Sequence, residues 1–514
     1  MGKLQKEGIF PYFDIPEIDI EIPQDKSQGD YATSIAMRIS KITKKKPIET
    51  AQILTSALNT QDLKMFSKIE TAQPGFINFF LSKEYLQNQV SQILKEKQKY
   101  GNLKIGQNKK IQVEFISANP TGPLTIANAR GGPLGDVLGN VLKKAGFSVE
   151  KAYYINDYGM QILALGHSVL KDGKAQYKGD YIDYLHKTIK EKDPYRVGEK
   201  AAQIIVNKWI KKTTDRLGIK YDSWDSENNF HKKGIVDETI KFLKKKGLVY
   251  EKEGATWFKS SQFGDGRDRV VIKADGTKTY LAGDIAHHRY KFEKKKFDKV
   301  INIWGADHHG DVPGLMAAAE ALGHKGKLDI ILTQFVSLFK KGKKIRMSKR
   351  AGTYITIDQL LDEVGLDVVR FFFLQRSSGT HLNFDLDLAK EQSEKNPVYY
   401  VQYAHARICS ILQKSEVKSQ QSKVKLNHSS ELGLVKQLIR FPEIIEDAAL
   451  DYQVQRLPQY ALDVATLFHR FYHDCPVLTQ NQDIKQMRIA LILAAQTVLK
   501  EIFGLMGISA PAKM

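Results

Sequence analysis

Apolar positions recur with two different periods along this chain of 514 residues, and the changes of period mark its organisation. Near the start, the alternation Ile18-Asp19-Ile20-Glu21-Ile22 predicts a strand, because successive side chains of an extended backbone face opposite sides. Ile35, Ala36 and Ile39 predict a helix over residues 31–42. A second helix over 47–58 opens on Pro47, whose fixed φ suits a first turn. Phe76-Ile77-Asn78-Phe79-Phe80-Leu81 reads as a buried strand, and a helix over 84–97 follows. Residues 1–105 are thus expected to form a small α/β module, closed by the polar Tyr100-Gly101-Asn102.

Over residues 106–395 the order becomes strand, loop, helix, strand. Ile111 to Ile116 is a strand, Ser117-Ala118-Asn119-Pro120-Thr121-Gly122-Pro123 a loop by its turn residues. A helix loosely started around Gly131-Gly132-Pro133 then runs to about Lys144, and Val149 to Ile155 is the next strand. The same order returns at Val300 to Trp304, the loop Gly305-Ala306-Asp307-His308-His309-Gly310, a helix over 315–322 and a strand over 328–332. Two βαβ units imply one nucleotide-type parallel sheet, split by a charged, mostly helical insertion at about 166–267. From residue 396 the period is helical throughout, at 398–412, 432–445, 457–471 and 484–506. A polar loop or linker over 413–430 interrupts this all-α stretch of 396–514.

Composition narrows the function. Hydrophobic residues are 42% and charged residues 26%, as in a folded globular chain. At about 100–200 residues per domain, the length implies about three to five domains. Two cysteines, Cys409 and Cys475, form no CxxC pair, which argues against a disulfide framework or a structural zinc site and for a reducing cytosol. No apolar run reaches the roughly 18–20 residues of a membrane span, and the N-terminus has no apolar signal core, so a cytoplasmic protein is expected. The net charge of +20 (78 basic against 58 acidic residues) points to a polyanionic partner, nucleic acid before others.

Several stretches could carry chemistry. The loop from Ala118 to Pro123 joins a strand to a helix, the place where an open parallel sheet binds ligands and a helix N-terminus favours phosphate. Thr125 and Asn128 follow it and could hydrogen-bond such a group; a purely structural turn is the alternative. Residues 340–350, KKGKKIRMSKR, hold seven basic and no acidic side chains among eleven. They read either as a mobile cationic loop that neutralises a charged transition state or as a solvated charge run. His308 and His309 lack metal-ligand spacing and read as polar contacts to a ligand. Tyr280 and Asp284 would share one side of a helix, where they could grip a cation, or be a core tyrosine and a surface aspartate.

Taken in order, these segments resemble the arginyl-tRNA synthetases, a family of class I aminoacyl-tRNA synthetases, over nearly the whole chain. The resemblance is carried by Gln28-Gly29-Asp30-Tyr31-Ala32, by Val113-Glu114-Phe115 through Gly122-Pro123-Leu124 and by Tyr153-Tyr154-Ile155-Asn156-Asp157-Tyr158-Gly159. It continues in Thr279-Tyr280-Leu281-Ala282-Gly283-Asp284, Trp304-Gly305-Ala306-Asp307-His308-His309-Gly310 and Arg346-Met347-Ser348-Lys349-Arg350-Ala351-Gly352. The helical stretch opens with Asn396-Pro397-Val398-Tyr399-Tyr400-Val401-Gln402-Tyr403-Ala404-His405-Ala406-Arg407, as in the family.

The resemblance implies a Rossmann-type catalytic domain with an insertion, an N-terminal tRNA-binding module and a C-terminal helical anticodon-binding domain. It implies ATP with Mg²⁺, L-arginine and tRNA(Arg) as ligands, and a monomer. Glu114, Ser117, Asn119, Tyr280, Asp284 and His308 are implied as arginine contacts. Pro120, Gly122, Thr125, Asn128, Gly305, Asp307, Arg346, Met347, Ser348 and Lys349 are implied as ATP contacts, with Lys349, Thr125 and Asn128 catalytic and no protein-held metal. The chain departs from the family where its His-x-Gly-His signature reads Thr125-Ile126-Ala127-Asn128: neutral donors replace two imidazoles. That loss admits a second reading, a tRNA-binding protein that no longer activates an amino acid. The retention of Asn119, Tyr280, Asp284 and Lys349 argues for the enzyme. Tyr403 and Tyr460 are expected either to stack on anticodon bases or to lie in the helical core.

Overall fold

The structure, a computed structural model, describes residues 1–61, 63–345, 355–415 and 425–514. It has two compact units. The first comprises residues 1–100, 407–440 and 466–498, the second residues 101–406, 441–465 and 499–514.

In the first unit, β1 (Tyr31–Thr33), α1 (Ile35–Thr43), α2 (Pro47–Asn59), β2 (Phe66–Ala72), β3 (Phe76–Leu81) and α3 (Lys83–Glu96) follow in sequence. The strands form an antiparallel sheet in the order β1-β3-β2, with Tyr31 opposite Phe79 and Ile69 opposite Phe79 on the other side. Ile35, Ala36 and Ile39 of α1, Ala51 and Leu54 of α2, and Ile69 and Ile77 of the sheet make one buried cluster. The expected helix over 31–42 therefore begins four residues late, its first residues being spent on pairing with β3. The strand expected at 18–22 does not form. Only Glu21 bridges to Ala32, and Ile18, Ile20 and Ile22 are exposed, because no second layer covers the alternating face. Farther along the chain, Glu431 closes the capping box of the helix Ser429–Leu438 and pairs with Arg488 at 2.8 Å.

In the second unit, β4 (Lys110–Glu114) is followed by α4 (Ile126–Ala129), α5 (Gly131–Lys144) and β5 (Ser148–Ile155). The insertion supplies α6 (Met160–Leu170), α7 (Asp180–Thr188) and α8 (Pro194–Ile205), then β6 (Ser223–Ser226), α9 (Glu227–Lys232) and α10 (Ile235–Lys245). A three-stranded antiparallel sheet of β7 (Val249–Lys252), β8 (Ala255–Phe258) and β9 (Arg269–Ile272) precedes α11 (Tyr280–Arg289). The chain then returns through β10 (Lys299–Gly305), α12 (Val312–Ala321) and β11 (Leu328–Thr333).

The main sheet has the order β11-β10-β4-β5-β6, and every neighbouring pair is parallel. The two βαβ units thus share one sheet, as their spacing predicts. The order reverses between β4 and β10, which makes that point the crevice where such sheets bind ligands. Helix α5 lies close on β4: a Cβ on Gly135 would stand 2.2 Å from the Phe115 ring. The fully buried Arg370 holds the carbonyls of Met506 and Leu217 at 2.6 and 2.7 Å and Asp136 of α5 at 2.5 Å.

The closing helices are Pro397–Lys414, Ser429–Leu438, Phe441–Asp451, Arg456–Asp474 and Gln482–Met506. The last is long and apolar enough to cross a membrane by length and composition alone, yet its Leu491, Ile492, Val498 and Phe503 are fully buried in the protein. Tyr460 is likewise buried, stacked on Phe441, so it is a core residue.

Candidate active site

A cavity of about 590 Å³ opens at the carboxyl ends of β4, β10 and β11. Of the residues singled out in the sequence, it is lined by Glu114, Ser117, Asn119, Asn128, Tyr280, Asp284, Gly305, Asp307 and His308. Pro120, Gly122 and Thr125 are buried beside it and are not among its lining residues. Arg346, Met347, Ser348 and Lys349 lie outside the described residues.

Each lining side chain is placed by its element. Glu114 is the last residue of β4. Beyond it the chain turns sharply, with Ile116 at φ +65° and Ser117 at φ +39°. Left-handed conformations cost such residues about 1–3 kcal/mol each and persist only where the surroundings hold them. Thr125 stands just before α4 and donates to Asn128 Oδ1 at 2.7 Å, which turns the amide's oxygen toward Thr125. Tyr280 and Asp284 fall four apart on α11 and both reach the cavity, as the spacing predicts. Gly305 ends β10; a Cβ there would stand 2.4 Å from Asp307 Oδ1. His308 lies 3.8 Å from Asp307 and 3.5 Å from Asp311.

The electrostatics of the cavity are set by carboxyls. Glu114 pairs with the fully buried Lys291 at 2.7 Å and accepts from Ser117 Oγ at 3.4 Å. Lys291 also reaches Asn302 Oδ1 at 3.4 Å, and Asn302 Nδ2 donates to His288 Nε2 at 2.8 Å. His288 Nδ1 in turn donates to the Asp284 carbonyl at 2.8 Å, which fixes a neutral ring. Burial and the Lys291 charge hold both His287 and His288 well below the ordinary imidazole range. Burial first, then the charges of Glu114 and Asp311, push Asp284 up to about 7 against the pull of Lys291.

Glu227, the first residue of α9, is a cavity residue that sequence reading missed. Burial, then Asp284 and Asp157, push it up to about 8, and among the described residues its Oε2 has no hydrogen-bond partner. Among the described residues, five carboxyls therefore line the cavity, Glu114, Glu227, Asp284, Asp307 and Asp311, while the buried Lys291 is paired with Glu114 and Arg269 of the wall with Asp265. Asp284 and Glu227 are held up because charging a buried carboxyl without a paired cation is costly.

Other walls were also illegible. Tyr154 stacks on His287 with ring centroids 4.2 Å apart. Buried Arg130 holds the carbonyls of Gln334 and Thr380, both at 2.7 Å, and that of Ser377 at 3.0 Å, and so fixes the wall at Gln334. Arg269 pairs with Asp265 at 2.7 Å and holds the Gly310 carbonyl at 3.1 Å.

Comparison with known proteins gives the same answer along the whole chain. Residues 3–81 match the family described as Arginyl tRNA synthetase N terminal domain. Residues 89–192 and 171–370 match tRNA synthetases class I (R), catalytic domain, and residues 401–514 the DALR anticodon binding domain. The chain is 41% identical to an arginine–tRNA ligase of Acetivibrio thermocellus over 548 residues, covering 100% of this chain and 97% of that one. It is 40% identical to one of Bacillus subtilis over 542 residues, covering 99% and 96%. Its fold is shared with the Thermus thermophilus arginyl-tRNA synthetase structure at a TM-score of 0.80 and 21% identity, over 100% of this chain and 98% of that one.

Proposed function

The chain belongs to the arginyl-tRNA synthetase family, and from that premise we propose that it activates L-arginine with ATP and transfers it to the 3′ end of tRNA(Arg). The arginine carboxylate attacks the α-phosphorus of ATP, the bond to pyrophosphate breaks, and arginyl-adenylate forms. The terminal ribose hydroxyl of the tRNA then attacks the arginyl carbonyl and AMP leaves.

The observation that carries this reading is the excess of carboxyls over lysine in the cavity. Asp284 and Glu227 supply acceptors for a guanidinium, whose planar donors suit carboxylates bidentately. Glu114, already paired with Lys291, is the lesser charge partner and a fixed acceptor. Tyr280 closes the side of the pocket. Asn119, Ser117 and His308 take the amino-acid end of arginine. The main-chain turn at Pro120–Gly122, with Gly305 and Asp307, takes ATP, and Thr125 orients Asn128 toward its phosphates. Lys349 and Arg346, with Met347 and Ser348, complete the charge on the transferring group. Mg²⁺ accompanies ATP, held mainly by phosphates and water.

Residues 1–105 and the helical residues 396–514 bind the tRNA outside its acceptor end, at the elbow and the anticodon. The protein acts in the cytoplasm as a monomer. The test is AMP production from ATP in the presence of tRNA(Arg). It should depend on arginine and not on lysine, which offers a point charge where the pocket offers a fork of acceptors.

A further inference from the structure

The stretch between β4 and α4 carries Ser117 and Asn119 to the cavity, yet apart from two tight turns (Ser117 N to the Phe115 carbonyl, Thr121 N to the Asn119 carbonyl) it has little hydrogen bonding of its own. Four of its carbonyl oxygens are held by side chains from elsewhere. Tyr221 Oη donates to that of Phe115 at 3.1 Å, and Asn156 Nδ2 to that of Ser117 at 3.1 Å. Tyr153 Oη donates to that of Ala118 at 3.0 Å, and Tyr181 Oη to that of Thr121 at 2.9 Å. The donors come from β5, the turn after it, α7 of the insertion and the turn before β6. The rings of Tyr153 and Tyr221 meet edge to face at 5.5 Å, and Tyr221 packs on Phe115 at 4.7 Å. A Cβ on Gly122 would stand 3.1 Å from Tyr181 Cζ, so glycine there lets the ring lie against the loop backbone. Burial pushes the phenols of Tyr153 and Tyr221 above their ordinary range, so both hydroxyls stay protonated donors.

We propose that the hydroxyls of Tyr153, Tyr181 and Tyr221 are positioning groups for this loop, and that Tyr181 makes the placement of Asn119 depend on the docking of an insertion helix. The physical reason lies in the backbone. Ile116 and Ser117 adopt left-handed conformations that neither residue favours by itself, so the turn exists because its carbonyls are gripped. Release of one grip lets the loop relax toward ordinary φ and carries Asn119 with it. A displacement of about 1 Å at such a site can cost roughly a hundredfold in rate. The proposal rests on the reading that this cavity takes arginine and ATP. The tyrosines touch no substrate.

The test uses the full chain with tRNA(Arg), saturating ATP and arginine, and single-turnover charging, alongside thermal unfolding. Tyr181→Phe and Tyr153→Phe should each slow the chemical step about tenfold at temperatures well below unfolding. Because both hold one loop, the double variant should lose less than the product of the two. Tyr250→Phe, which removes a hydroxyl bonded to Asp268 away from the loop, should charge at the parent rate. Parent rates in both single variants, with or without a lower Tm, would mean that the hydroxyls merely stabilise the fold and would overturn the proposal. Strictly multiplicative losses would also overturn it, since the hydroxyls would then act independently. If Tyr153→Phe does not fold, the half-buried Tyr181 decides alone. A parent protein that does not charge tRNA at all would instead remove the substrate assignment.

Discussion

Asp284 illustrates how one residue acquires a task from its surroundings. Its side chain sits at a cavity where burial first, then Glu114 and Asp311, raise its pKa to about 7, so the ligand-free pocket holds part of a proton there, and Glu227, also raised mainly by burial, behaves alike at about 8. A guanidinium bound between them favours the charged forms, so binding must expel protons. The sign follows: arginine binds more tightly as pH rises from about 6 to 8, where the expelled protons are already gone. Calorimetry in buffers of different ionisation enthalpy should show proton release near pH 7. Binding with no proton exchange and a flat affinity would contradict the pair's role. Asp284→Asn removes the charge and keeps the shape. Losing one partner of a buried ionic contact costs about 3–5 kcal/mol, so kcat/KM for arginine should fall by roughly a hundredfold or more while tRNA affinity holds. An unaltered kcat/KM would take Asp284 out of the pocket.

At the scale of elements, the short helix α4 carries the altered signature. Thr125 is buried and bonds Asn128, and only Asn128 lines the cavity. The two side chains therefore act in series. Asn128→Ala should lower kcat about a hundredfold, as loss of a neutral donor at a charged transition state does. Thr125→Val, which only frees the amide to turn, should cost about tenfold, and Thr125→Ser should restore the parent rate. Equal losses from Thr125→Val and Thr125→Ser would show that the hydroxyl does not orient Asn128.

The same scale explains what the sequence could and could not disclose. The strand–loop–helix order at 111–144 and 300–332 was readable because buried parallel strands are continuous apolar runs closed by turn residues, and Tyr280 with Asp284 was readable from helical spacing. Glu227 was hidden because a glutamate opening a helix is the ordinary complement to its dipole. Lys291 was hidden in the charged run from Lys291 to Lys296, which reads as a solvated face, though this one lysine is wholly buried. At Ile18, Ile20 and Ile22 the alternation was real but had no neighbouring surface to bury it. Local pattern reports periodicity; it does not report which chain segment supplies the opposite wall.

For the whole molecule, the net charge of +20 is the dominant feature. RNA affinity that rests on phosphate neutralisation releases counterions, so tRNA binding should weaken by about a hundredfold or more between roughly 50 and 200 mM salt. Filter binding or anisotropy across that range checks it; a flat response would mean that phosphates contribute little. Arginine affinity over the same range should change far less, because its partners are buried and poorly screened.

The proposed function rests on selection of a guanidinium by the carboxyls of the cavity, Asp284 and Glu227 foremost, for transfer to tRNA. The most direct measurement is charging of tRNA(Arg) with radiolabelled arginine, with citrulline, its neutral isostere, as competitor. Arginine should be incorporated, and citrulline should inhibit only at about a thousandfold higher concentration or above, because it leaves the carboxyls unpaired. Absence of arginine incorporation with ATP and tRNA present, or inhibition by citrulline at arginine's own concentration, would contradict the account.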